Sequence, residues 1–131
     1  MQSLHLANVG VVDAGRALAD LVEISPQIEA AAVVAGDGET AGSVGVPDGR
    51  ATLLARAVRE LLERAAEFRH SDGRVTQLHA ALADGAVFAV TGADERTVVA
   101  VTSGRPAPGL VFYDLKNCLS RLADEGLGDA T

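Results

Sequence analysis

The residues best equipped for chemistry in this 131-residue chain are few, and their spacing does not suit it. Cys118 is the only cysteine, so no internal disulfide forms. A thiol nucleophile needs a neighbouring base or cation. Cys118 instead falls at helical spacing with Leu115, Leu119 and Leu122, which makes it a small hydrophobe on an inner helix face. His70, Asp72 and His79 are the nearest approach to a metal cluster. His70 and Asp72 belong to a turn and His79 to the strand after it, without a ligand spacing, so no metal site is expected. Gly42 and Gly45 flank no Lys-Ser/Thr step, and no Gly-x-Gly-x-x-Gly string occurs, so no nucleotide cofactor is expected either. The carboxylate pairs Asp94-Glu95 and Asp124-Glu125 read as solvated surface in a turn and at a helix end. No nucleophile–base pair can be named, and the chain is not expected to be an enzyme.

Composition narrows the partners. The net charge is −7 and aromatics make up 3%, so the chain offers neither a basic stripe nor stacking rings to a nucleic acid. The same charge disfavours an anionic membrane surface. No apolar run reaches the roughly 18 residues of a membrane span, and Met1 to Leu6 shows no signal-peptide pattern. A cytoplasmic protein is expected. The hydrophobic content of 48%, without Trp, predicts one domain with a core of Val, Leu, Ala and Ile.

The element that must organise such a core is the stretch Asp48–Phe68, predicted as one amphipathic helix with Asp48 as its N-cap. Arg56, Arg59, Glu60, Glu63, Arg64 and Glu67 form its polar arc. Leu54, Ala57, Val58, Leu61, Ala65 and Phe68 lie opposite, and Ala55, Leu62 and Ala66 widen the apolar arc on one flank. The arc approaches about 180°, more than a surface helix needs to cover one sheet. The sequence therefore predicts that the sheet takes the central stripe and that a second surface takes the Ala55–Leu62–Ala66 flank.

The other elements follow in order. Val11 to Glu23 is helical, ending before Pro26. Ile28–Ala35 and Thr40–Val46 form a hairpin about an Asp-Gly turn. His70–Gly73 is an exit turn. Val75–Leu82, Ala86–Thr91 and Thr97–Thr102 form a meander, and Gly109–Asp124 is the last helix. The two later strands are apolar on both faces and so central; Val75–Leu82 is polar and so an edge. The prediction is an α+β domain over residues 11–125, with an N-terminal arm at 1–10 and a flexible tail at 126–131. Its order is α-β-β-α-β-β-β-α, with a five-stranded antiparallel sheet between helix layers.

This pattern resembles the roadblock / dynein light chain domain, with its profilin-like fold, over nearly the whole chain. The resemblance rests on the hairpin Ala30-Ala31-Ala32-Val33-Val34-Ala35-Gly36-Asp37-Gly38-Glu39, the Ala- and Leu-rich central helix, and the step Gly109-Leu110-Val111-Phe112-Tyr113-Asp114-Leu115 into the last helix. Ser25-Pro26-Gln27-Ile28 departs from the Pro-Gly-Val step of many relatives.

The resemblance implies a non-enzymatic homodimer whose central helices pack together and whose edge strands join. Such a platform binds and modulates or scaffolds a small Ras-like GTPase, in bacteria within signalling or polarity systems. The Ala-, Val-, Arg- and Gly-heavy composition agrees with a GC-rich bacterial gene. The expected interface comprises Ala55, Arg59, Leu62, Ala66, Arg69, Val75, Gln77 and His79, with Arg59 and Arg69 at its rim. Arg74, Arg96 and Arg105 are candidates to reach a bound GTPase's nucleotide, and none is singled out. The alternative is a small-molecule-sensing domain or a purely structural scaffold in a larger signalling complex. Against sensing stands the lack of convergent polar groups among the apolar segments.

Overall fold

The computed structural model describes residues 14–67, 77–92 and 94–130. The N-terminal arm and the exit turn with Arg69, His70, Asp72, Arg74 and Val75 lie outside that range, as do the side chains of Asp124 and Glu125.

Residues 14–24 form helix α1. It closes where Ser25 N–H reaches the Leu21 carbonyl at 2.9 Å, immediately before Pro26. Then come β1 (Ile28–Val34), β2 (Thr40–Val44), α2 (Asp48–Glu67), β3 (Gln77–Ala81), β4 (Gly85–Thr91), β5 (Thr97–Ser103) and α3 (Pro108–Ala130). The strands make one five-stranded sheet in the order β2-β1-β5-β4-β3, antiparallel throughout. The expected element order and sheet are those observed, with β3 at an edge.

The turns show why these strands pair. Between β1 and β2, Gly38 N–H bonds the Ala35 carbonyl, and Asp37 Oδ1 accepts Glu39 N–H at 2.9 Å. Gly38 takes φ 91°, the left-handed geometry for which the Asp-Gly pair was read. Between β3 and β4, Leu82 N–H bonds the Gly85 carbonyl at 2.8 Å around Ala83-Asp84.

Helices α1 and α3 cover one face. Leu18, Leu21, Val111, Leu115 and Cys118 meet Ile28, Val33, Phe88 and Val98 there. Each large side chain fully removed from water contributes about 1.5–3 kcal/mol. Helix α2 covers the other face, where Val58 packs on Ala89 and Val99, with Leu54, Leu62, Leu78 and Val87 around them. The result is three layers.

Besides strand ends shifted by a residue or two, two helix boundaries differ from expectation. Helix α3 runs on through Gly126 to Ala130. A helical glycine costs only about 1 kcal/mol, and no proline follows to enforce a stop. At the start of α2, Ala51 N–H bonds the Pro47 carbonyl at 2.9 Å. Pro47 therefore holds the cap position and Asp48 is the first helical residue.

Candidate protein-interaction surface

The sequence predicts that the central stripe of α2 meets the sheet; the contact falls instead on Val58 with the Ala55–Leu62 flank. Ala51, Ala55 and Val58 are buried at 0%, 2% and 4% exposure, and Leu62 packs on the same cluster. Ala55 and Leu62 therefore face this chain's own sheet, contrary to their expected place on an outer flank. Ala66 is half-buried and lines a shallow depression with Arg59, Leu62, Glu63, Thr91, Glu95 and Thr97. Arg59 is not on a rim: its Nη1 donates to the Ala35 carbonyl at 3.1 Å, tying α2 to the end of β1.

The apolar residues left outside lie on the opposite flank. Leu53 is 64% exposed and Leu61 47%, with Ala57 exposed between them at helical spacing. Leu61, expected in the core, is thus a surface residue. Arg59 points its flank towards β1, so the Leu53–Ala57–Leu61 row faces the β4 and β3 side. Leu54, beside that row, joins the cluster that also takes Leu78 of β3.

Among the described residues that side ends in the edge strand β3. The Leu82–Gly85 pair is hydrogen-bonded, and the register runs unbroken from Ala81↔Ala86 to Gln77↔Val90. Bonded and non-bonded pairs alternate in an antiparallel ladder. Ala80 and Leu78 therefore bond β4, while Ala81, His79 and Gln77 turn their N–H and C=O groups outward. Their side chains are exposed on the α1/α3 side of the sheet. The His79 ring lies flat on Phe88, centroids 4.4 Å apart and planes at 10°. Gln77 and His79 share one exposed face of β3. Leu53, Ala57 and Leu61 were missed, because a half-circle of apolar residues has no unique centre.

Cys118 and Arg96 are otherwise engaged. Cys118 is 4% exposed, and burial pushes its thiol up to about 11, with Arg121 opposing and Asp20 reinforcing the shift. It is a neutral core thiol at neutral pH. Arg121 and Asp20 pair at 3.0 Å beside it. Burial acts to raise the Asp94 carboxyl, but the Arg96 side chain and backbone N–H outweigh it and hold the group below its ordinary value. Arg96 is thereby committed to its own turn, and Arg105 is exposed in the loop before α3. Among the described residues no three His, Cys, Asp or Glu side chains converge, and no helix is long and apolar enough to cross a membrane. Gly42 and Gly45 are packing positions. A Cβ on Gly42 would meet the Ala14 Cβ at 3.4 Å, and one on Gly45 would lie 2.2 Å from the Glu29 carbonyl oxygen.

No protein-family model matches the sequence, and no curated protein does. Solved structures do match. A roadblock/LC7 domain from Streptomyces avermitilis superposes with TM-score 0.75 at 18% identity, covering 85% of this chain and 95% of its own. The fold is the roadblock/LC7 fold. MglB of Myxococcus xanthus shares it, with TM-score 0.72, 15% identity and 90% of each chain covered. The architecture is profilin-like too. LokiProfilin2, solved in complex with rabbit actin, gives TM-score 0.59 at 13% identity, over 82% of this chain and 93% of its own. At these identities the roadblock/LC7 likeness concerns the fold alone.

Proposed function

We propose that this chain is a non-enzymatic homodimeric module of the roadblock type, acting in the cytoplasm, that binds and regulates or scaffolds a small Ras-like GTPase in bacterial signalling or polarity. One observation carries the reading: an exposed apolar row on α2, Leu53–Ala57–Leu61, lies on the side of the molecule where, among the described residues, β3 has no strand beyond it. A second copy satisfies both at once across a two-fold axis. The fold shared with a bacterial MglB agrees with this reading.

The test is sedimentation of the wild type and of Leu61→Glu at micromolar concentration. The wild type is expected to be a dimer. Leu61→Glu is expected to fold, because the site is exposed, and to associate at least about a hundred-fold more weakly, since two carboxylates must be desolvated near the axis. Immobilised wild type should then retain the Ras-like GTPase encoded nearest its own gene, loaded with GDP or a GTP analogue, and Leu61→Glu should not. A monomeric wild type ends the dimer reading. A dimer that ignores that GTPase in both nucleotide states ends the regulatory one.

A further inference from the structure

The depression beside Ala66 gathers polar groups that the packing of α2 on the sheet does not require. Thr91 and Thr97 stand opposite each other on β4 and β5, with their hydroxyl oxygens 3.0 Å apart. The next residues on that face, Ala89 and Val99, are apolar and fully buried under α2. Thr97 is itself only 3% exposed. Each hydroxyl carries one hydrogen, and only one of the two can lie between the oxygens. The other points away from the pair and is available to an acceptor.

Charges of both signs stand around the same space. Arg59 donates through Nη1 to the Ala35 carbonyl at 3.1 Å, and its guanidinium has further N–H groups to give. Glu95 comes from the β4–β5 turn, where it holds φ 68°. A Cβ on Gly36 would meet the Glu95 Cβ at 3.3 Å and its Oε2 at 3.6 Å, so this side chain also reaches the end of β1. Glu63 adds a carboxylate one turn along α2 from Arg59, and Leu62 and Ala66 supply an apolar wall. The space is about 200 Å³, the share of roughly seven water molecules in the liquid. Convergent polar groups, which the apolar segments do not show in sequence, are thus brought together by α2, the end of β1 and the β4–β5 turn.

We propose that this depression binds a small zwitterion, an α-amino acid with a short aliphatic side chain. Its carboxylate meets Arg59 and the spare threonine hydroxyl, its ammonium meets Glu63 and Glu95, and its side chain lies on Leu62 and Ala66. Simpler ligands match the charges less well. A carboxylate alone faces two carboxylates, an amine alone leaves the guanidinium without a counter-charge, and an uncharged apolar molecule desolvates all three. The proposal does not depend on the dimeric reading, because the depression lies on the Arg59 flank of α2, away from the Leu53–Ala57–Leu61 row.

The test titrates the full chain with L-valine, isobutylamine and 3-methylbutanoate and reads amide shifts by NMR. L-Valine should give saturable shifts at Thr91, Glu95 and Thr97 with a Kd of about 1 mM or tighter. Each half-molecule should bind at least about ten-fold more weakly. Glu63→Gln, at an exposed position, should weaken L-valine about ten-fold and leave 3-methylbutanoate no weaker. Thr97→Val keeps the side-chain shape, deletes one hydroxyl, and should weaken both about ten-fold. Ala66→Phe should fill the space and abolish binding. No saturable shift up to about ten times the expected Kd overturns the site, as does wild-type affinity in Ala66→Phe or Thr97→Val. Isobutylamine or 3-methylbutanoate binding as tightly as L-valine overturns the zwitterion.

Discussion

The two edges of the sheet are built to opposite ends. Strand β2 is short and small, Thr-Ala-Gly-Ser-Val, and its pairing with β1 slips between Val33 and Val34. Gly42 lies against α1, Gly45 has φ 75° against the β1 backbone, and Pro47 follows. A bulge, a proline and crowding neighbours are the devices that stop an edge from pairing further. Among the described residues strand β3 has none of them: its register is unbroken from Gln77 to Ala81 and its outward residues are exposed. Both strands have a free side, but only β3 keeps the regular ladder that a further strand requires. Edge position alone therefore does not mark a docking strand; the absence of protection does.

The largest expected effect breaks the protected edge. Gly45→Ala places a Cβ 2.2 Å from the Glu29 carbonyl oxygen and in a left-handed conformation. Backbone must move, and the loss should be about 3 kcal/mol or more in denaturant melts. A loss below about 0.5 kcal/mol would show that β2 does not depend on its close approach to β1.

The next effect separates the two flanks of α2. Leu62→Ala removes contacts with the Val58–Ala89–Val99 cluster and should cost about 2–3 kcal/mol. Leu61→Ala, one residue away but 47% exposed, should cost the isolated protomer under about 0.5 kcal/mol. Equal costs would mean that the helix is rotated from the orientation described here.

The contrast between these leucines also shows what the sequence could convey. Element order, the antiparallel sheet, the central strands and the polar edge were legible because they depend on local signals: Asp37-Gly38, Pro26, and alternation along Gln77–Ala81. The inner face of α3 was legible because Val111, Leu115, Cys118 and Leu122 form one narrow stripe. The orientation of α2 was not, because Leu53, Leu54, Ala55, Ala57, Val58, Leu61 and Leu62 spread over half the helix. Rotation about the axis was decided by contacts remote in sequence, such as Arg59 to the Ala35 carbonyl. The end of α3 was misread because glycine weakens a helix without stopping it.

The smallest effect compares the edges directly, by placing proline where each strand turns an N–H outward. At β3 that position is Gln77. At β2 it is Thr40: Ala35 N–H bonds the Glu39 carbonyl, and the next pair, Val34↔Thr40, is of the non-bonded kind. Neither substitution removes a hydrogen bond among the described residues, and proline is tolerated on an edge whose N–H faces solvent. Gln77→Pro, however, deletes a donor from each side of the β3–β3 junction in the proposed dimer. At about 1 kcal/mol per backbone hydrogen bond, the symmetric loss comes to about 2 kcal/mol, or roughly thirty-fold in the dimer dissociation constant. Thr40→Pro should leave that constant unchanged within about two-fold, because β2 is already excluded from pairing. Sedimentation equilibrium of the two variants beside wild type reads the difference. Equal weakening by both would mean that proline acts through the stability of each protomer. Weakening by Thr40→Pro alone would move the junction to β2.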